Sequence, residues 1–223
     1  MSVFKNLVNI WISEDSLSQA WRSSNEMLTL SHVMFTDSIG ALRSGEKNKV
    51  IKSIKQRDIE INNYHRDIRK KVVTYYSISK DVTNLDSGLV LINIVVDIER
   101  VGDYTKNILD LAKHHPKKFV SEKISDDLRV VEKAVIERFG NTIKAVEEMD
   151  EKVAKELIKS YRSDLGKLSD SLVASSISGK LQIGVEYKAS SMVLYARYLK
   201  RIGAHLKNIT SVVVNPFESI GYN

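Results

Sequence analysis

The chain has 223 residues with 34 Lys and Arg against 28 Asp and Glu, a net charge of +6 at neutral pH, and no cysteine. That length suits one large domain or two small ones, and the lack of cysteine excludes disulfides and thiolate metal sites and accords with a reducing compartment. The positive excess is dispersed among acids, as in Glu46-Lys-Asn-Lys, Glu132-Lys and Glu151-Lys. Interleaved signs mark solvated helix faces, so a helical nucleic-acid-binding regulator is only the alternative reading.

Near the N-terminus, Val3, Phe4, Leu7, Val8, Ile10 and Trp11 form a small apolar surface broken by Lys5, Asn6 and Asn9. The interruptions exclude an export signal, and the segment is expected to pack on the protein's own core or in a dimer interface, with lipid contact as the alternative. Leu17, Trp21, Ser24, Leu28, Ser31, Phe35, Ser38 and Leu42 then recur at alternating steps of four and three, and Gly45 closes this first predicted helix. Ile54, Ile61, Ile68 and Tyr75 recur every seven residues and mark a second. A third runs from about Leu89 to Ala112; its apolar run to Val96 contains Asn93 and is too short for a bilayer, which needs about 20 residues. The basic run Lys113-His-His-Pro-Lys-Lys118 reads as a linker, or less readily as a binding patch.

The second half repeats the plan. Helices are predicted over Asp126 to Met149, over Lys152 to Ser178 before Gly179 and Gly184, and over Tyr187 to Val214 before Pro216, with a turn near Asp150. Hairpin-type strand signals are absent. The expected fold is all-α: six long helices as two similar antiparallel three-helix bundles, residues 1–119 with a short N-terminal extension and residues 120–223.

One segment occurs twice, as Ile98-Glu-Arg-Val-Gly-Asp-Tyr-Thr-Lys-Asn-Ile108 and as Leu199-Lys-Arg-Ile-Gly-Ala-His-Leu-Lys-Asn-Ile209. An internal duplication follows. Gly102 and Gly203 fall inside helices, where glycine costs about 1 kcal/mol against alanine, so a neighbouring helix is expected to approach closely at each. The first copy keeps Glu99 and Asp103, one turn apart on one face, and Asp58 with Asn62 repeats that step on the preceding helix. Such an oxygen-rich set suits Mg, Mn, Ca or Fe(III), although an acidic face answering arginines such as Arg100 satisfies the same spacing. Enzyme readings find little support: no Glu-x-x-His pair, phosphate-cradling glycine loop or nucleophile elbow is present.

Asp97-Ile-Glu-Arg-Val-Gly-Asp-Tyr-Thr-Lys-Asn-Ile resembles the signature of the PhoU family of phosphate-transport regulators. Arg197-Tyr-Leu-Lys-Arg-Ile-Gly-Ala-His-Leu-Lys-Asn-Ile stands where that family carries its second repeat, and Leu42 to Arg69 resembles its second helix. The resemblance implies a cytoplasmic, non-enzymatic protein at the inner face of the membrane, and a homodimer is expected. It further implies negative control of phosphate uptake and of phosphate-starvation signalling, through contact with an ABC-type phosphate transporter and a sensor histidine kinase. Family members bind metal through acidic pairs, which fall here on Asp58 with Asn62 and on Glu99 with Asp103. In the second repeat the matching positions are Arg162, Gly166, Lys200 and Ala204. At most one metal site, divalent or ferric and in the first repeat, is therefore expected, and the divergence leaves a sodium-coupled or other phosphate carrier as the alternative to an ABC-type partner.

Overall fold

A computed structural model describes residues 16–79, 82, 85–114, 123–180, 186–215 and 219–221. The described residues are helical throughout their regular structure: α1 (Ser16–Ser44), α2 (Asn48–Gln56), α3 (Asp58–Ser79), α4 (Leu85–His114), α5 (Lys123–Glu147), α6 (Glu151–Tyr161), a π-helical turn over Arg162–Gly166, α7 (Lys167–Ile177) and α8 (Glu186–Ser211). The apolar N-terminal segment, Pro116, Gly184 and Pro216 lie outside the described residues.

In α1 the whole four-and-three stripe is buried, serines included. Ser24 donates to the Trp21 carbonyl at 2.7 Å, Ser31 to Met27 at 2.9 Å and Ser38 to Phe35 at 2.6 Å. Small side chains that satisfy their own hydroxyls let partner helices approach without stranding a polar group. Gly45 ends α1 at φ 68°, a left-handed conformation suited to glycine, and its N–H returns to the Ala41 carbonyl. Asp150 caps α6, its carboxylate accepting from the Lys152 and Val153 amides at 2.9 and 3.0 Å.

Two continuous helices of the sequence reading are interrupted. The segment from Ile54 to Tyr75 breaks at Arg57, whose amide turns back to the Ile54 and Lys55 carbonyls. The segment from Lys152 to Ser178 carries the π turn at Arg162–Gly166. Both breaks sit in the second long helix of a repeat, one immediately before Asp58 and the other opening on Arg162, the position that corresponds to it. Apolar spacing does not register either break, because buried residues lie in step on both sides: Ile54 and Ile61 in one, Leu157 and Leu165 in the other.

Helices α1, α3 and α4 pack mutually, as do α5, the α6–α7 arm and α8. The two bundles join chiefly where α4 lies along α8, with α1 also meeting α5. The repeated segments therefore sit on the two helices that face each other across the centre of the molecule.

Candidate functional site

Asp58 is the first residue of α3, where a helix N-terminus favours a carboxylate, and Asn62 lies one turn on. The Asn62 amide donates to Asp58 Oδ2 at 2.9 Å. Gly102 of α4 lies opposite, and a Cβ there would stand 3.4 Å from Ile61 Cδ1 and 3.5 Å from Asp58 Oδ1. The close approach expected at this glycine is present, and it brings Asp58 to the Glu99 and Asp103 face of α4.

Asp58 and Asp103 are joined by a residue that sequence reasoning did not single out. Lys106 Nζ lies 2.9 Å from Asp58 Oδ2 and 2.9 Å from Asp103 Oδ1, bridging α3 and α4. Arg100 takes the other Asp103 oxygen at 3.2 Å and approaches Glu99 at 3.9 Å. Asp58 is only 14 % exposed. Burial works against the charge on Lys106, but its bonds with Asp58 and Asp103 outweigh that and raise its pKa, so it remains an ammonium. The Glu99 pKa is raised, first by burial and then by Asp103, against the opposing pull of Arg100 and Lys106. Lys106 follows Asp103 by three residues, a spacing that brings helix side chains together, and this was the available signal.

Coordination of a metal by Asp58, Asn62, Glu99 and Asp103 needs their oxygens free and converging on one point. Here Asp58 Oδ2 accepts two N–H donors, both Asp103 oxygens are paired, and an ammonium occupies the space between them. Among the described residues no group of three or more His, Cys, Asp or Glu is disposed to hold a metal ion. The donor set, as arranged, does not fit a resident metal.

At the corresponding place in the second repeat, Lys200 Nζ reaches both Asp170 oxygens at 2.6 and 2.7 Å, and the Tyr161 hydroxyl donates to the Lys200 carbonyl at 3.3 Å. Arg138 and Lys207 stand 5.6 and 5.8 Å from the centre of the Tyr161 ring. A Cβ on Gly203 would meet Leu165 Cδ1 at 2.4 Å, so this glycine too marks a helix crossing.

Between the repeats, Asp97 Oδ1 lies 2.6 Å from His205 Nδ1 and 3.2 Å from Asn208 Nδ2. Because an ionised carboxylate only accepts, Nδ1 carries the hydrogen. The outer face of α4 also lines a hollow of about 450 Å³ with Lys55, Asp103, Tyr104, Lys106, Asn107 and Asp110.

Residues 24–112 match the family model of the PhoU domain. The PhoU match spans α1 to α4 and contains Asp58, Asn62, Glu99, Asp103 and Lys106. The whole fold is similar to that of PhoU from Pseudomonas aeruginosa, with a TM-score of 0.80, 17% identity, and coverage of 89% of this chain and 95% of that one. It is also similar to the phosphate transport system regulatory protein PhoU from Streptococcus pneumoniae, with a TM-score of 0.73, 16% identity, and coverage of 89% and 93%. No curated protein matches the sequence. The likeness of the second repeat to these PhoU structures is thus one of fold. Among the described residues no helix is long and apolar enough to cross a membrane.

Proposed function

We propose that this chain is a regulator of phosphate transport that acts by protein contact rather than by catalysis. Its partner in this reading is a membrane phosphate carrier, of the ABC type or sodium-coupled, met at the inner face of the membrane by a cytoplasmic homodimer. A sensor histidine kinase is the second partner, through which phosphate-starvation signalling is held down. The observation that supports this most is the PhoU-domain match over residues 24–112, on a fold shared along nearly the whole chain with two PhoU structures. The absence from the sequence of a nucleophile elbow or phosphate-cradling loop agrees with a non-enzymatic role.

Deleting the gene and following uptake of labelled phosphate tests the proposal. With phosphate plentiful, uptake is expected to rise in the deletion strain and to return to its starting level when the wild-type chain is restored. Unchanged uptake at both high and low phosphate contradicts it.

A further inference from the structure

We propose that the Lys106 ammonium is the resident cation of the acidic cluster formed by Asp58, Glu99 and Asp103, so that this chain takes no divalent metal there unless Lys106 is shortened.

Three observations carry it. Lys106 Nζ sits 2.9 Å from one oxygen of Asp58 and 2.9 Å from one of Asp103, so it touches both helices that would have to supply ligands. A charge-assisted bond to each carboxylate does the electrostatic work that a metal ion would otherwise do between them. Two further donors take up part of the remaining capacity: Asn62 donates its amide to the same Asp58 oxygen, and Arg100 takes the second oxygen of Asp103. A divalent ion needs several oxygens at about 2.0–2.6 Å, so entry requires Lys106 to leave two carboxylates and remain nearby as a repelling charge.

The duplication supplies the second line. Lys207 holds the position of Lys106 in the second copy and also reaches toward the second long helix of its own repeat, where it stands 5.8 Å from the Tyr161 ring centre. A lysine at this register is therefore aimed across the helix crossing in both halves. In one half it meets carboxylates and in the other an aromatic face, both able to hold a cation. The third line is the partners' surroundings. Asp58 is 14 % exposed and Lys106 30 %, so the pair is partly withdrawn from water, where an ion pair is screened less than at a free surface.

Manganese(II) binding to full-length protein, measured by titration calorimetry and by equilibrium dialysis with elemental analysis, tests the proposal. The variants are Lys106→Met, which keeps the apolar stem and removes the charge, Lys106→Gln, and each combined with Asp103→Asn; circular dichroism selects those that fold. Wild type is expected to show no manganese binding that Asp58→Asn or Asp103→Asn removes. A folded Lys106 variant is expected to bind at least about tenfold more tightly than wild type, and to lose that gain when Asp103→Asn is added. Stoichiometric binding to wild type that disappears in Asp58→Asn or Asp103→Asn overturns the proposal, whether or not the Lys106 variants fold. A folded Lys106 variant with no gain overturns it equally.

Discussion

The Tyr104 and His205 rings lie stacked, 5.8 Å apart and inclined by 29°, and the two residues hold the same position in the two copies of the repeated segment. Partners that correspond in sequence and meet face to face mark the line about which the repeats are related. The neighbouring contacts obey the same relation. Asp97 corresponds to Tyr198, and Asp97 bonds to His205 while Tyr198 lies 6.1 Å from the Tyr104 ring. One side of the line has a polar bond where the other has an aromatic pair.

Asp97→Ala removes the acceptor shared by His205 and Asn208 and leaves two partly buried donors of α8 without it. Loss of a bond to a charged group is worth about 1.5–3 kcal/mol, and a decrease in unfolding free energy of that size is expected in urea titrations. A decrease below about 0.5 kcal/mol contradicts the role given to Asp97 in joining the repeats.

A second buried connection joins α1, α5 and α8. Tyr195, fully buried, donates its hydroxyl to Glu132 Oε2 at 2.6 Å, and Arg43 reaches the same oxygen at 2.9 Å. Burial and the Glu132 charge hold the phenol pKa well above its usual 10.0. Tyr195→Phe is expected to lower stability by about 1.5–3 kcal/mol and Glu132→Ala by more, since the latter removes the carboxylate that Tyr195 and Arg43 share. Thermal melts of the two variants check the order.

The two repeat glycines are expected to respond differently to alanine. At Gly102 the added methyl meets Ile61 at 3.4 Å, an ordinary contact, so stability should hold or rise by up to about 1 kcal/mol from helix propensity. At Gly203 it meets the buried Leu165 at 2.4 Å, and overpacking of this kind costs about 1–3 kcal/mol. Equal effects in paired melting experiments contradict the tighter crossing in the second repeat.

His32 stacks on Phe139 with ring centres 4.8 Å apart, joining α1 to α5, and burial holds its pKa below the usual 6.5. Above pH 6.5 the ring is neutral in the folded and unfolded chains alike, and its stabilising contribution is complete. As pH falls through 6.5 toward the lower folded value, the unfolded chain takes up the proton first and that contribution is lost. The melting temperature is expected to drop as pH falls through 6.5, and His32→Phe, which keeps the stack, to reduce the slope. A slope unchanged in His32→Phe removes His32 from this account.

Much of the architecture is legible in residue spacing, for a physical reason. The α1 stripe reads through its serines because helical geometry places every third or fourth residue on one face whatever its polarity. Gly102 and Gly203 announce helix crossings because a helix interior tolerates glycine poorly without some gain from close approach. The interruption at Arg57 leaves no such trace, and at Arg162–Gly166 the glycine does not tell a break from a close crossing: neither contains proline, and buried apolar residues stay in step on both sides. The acidic face is half legible. Spacing brings Asp58, Asn62, Glu99 and Asp103 together, but whether a metal or a side chain neutralises them depends on where Lys106 points across the crossing, a tertiary relation that helical periodicity does not carry.

Affinity purification of the tagged chain from detergent-solubilised membranes, with partners identified by mass spectrometry and confirmed by reciprocal purification, tests the regulatory reading most directly. A phosphate carrier is expected to co-purify in both directions, and to be lost when the polar contacts of α8 with α4 and α5 are removed by Asp97→Ala together with Tyr195→Phe. Reciprocal purifications of every phosphate carrier in the same cells that never recover this chain would contradict it.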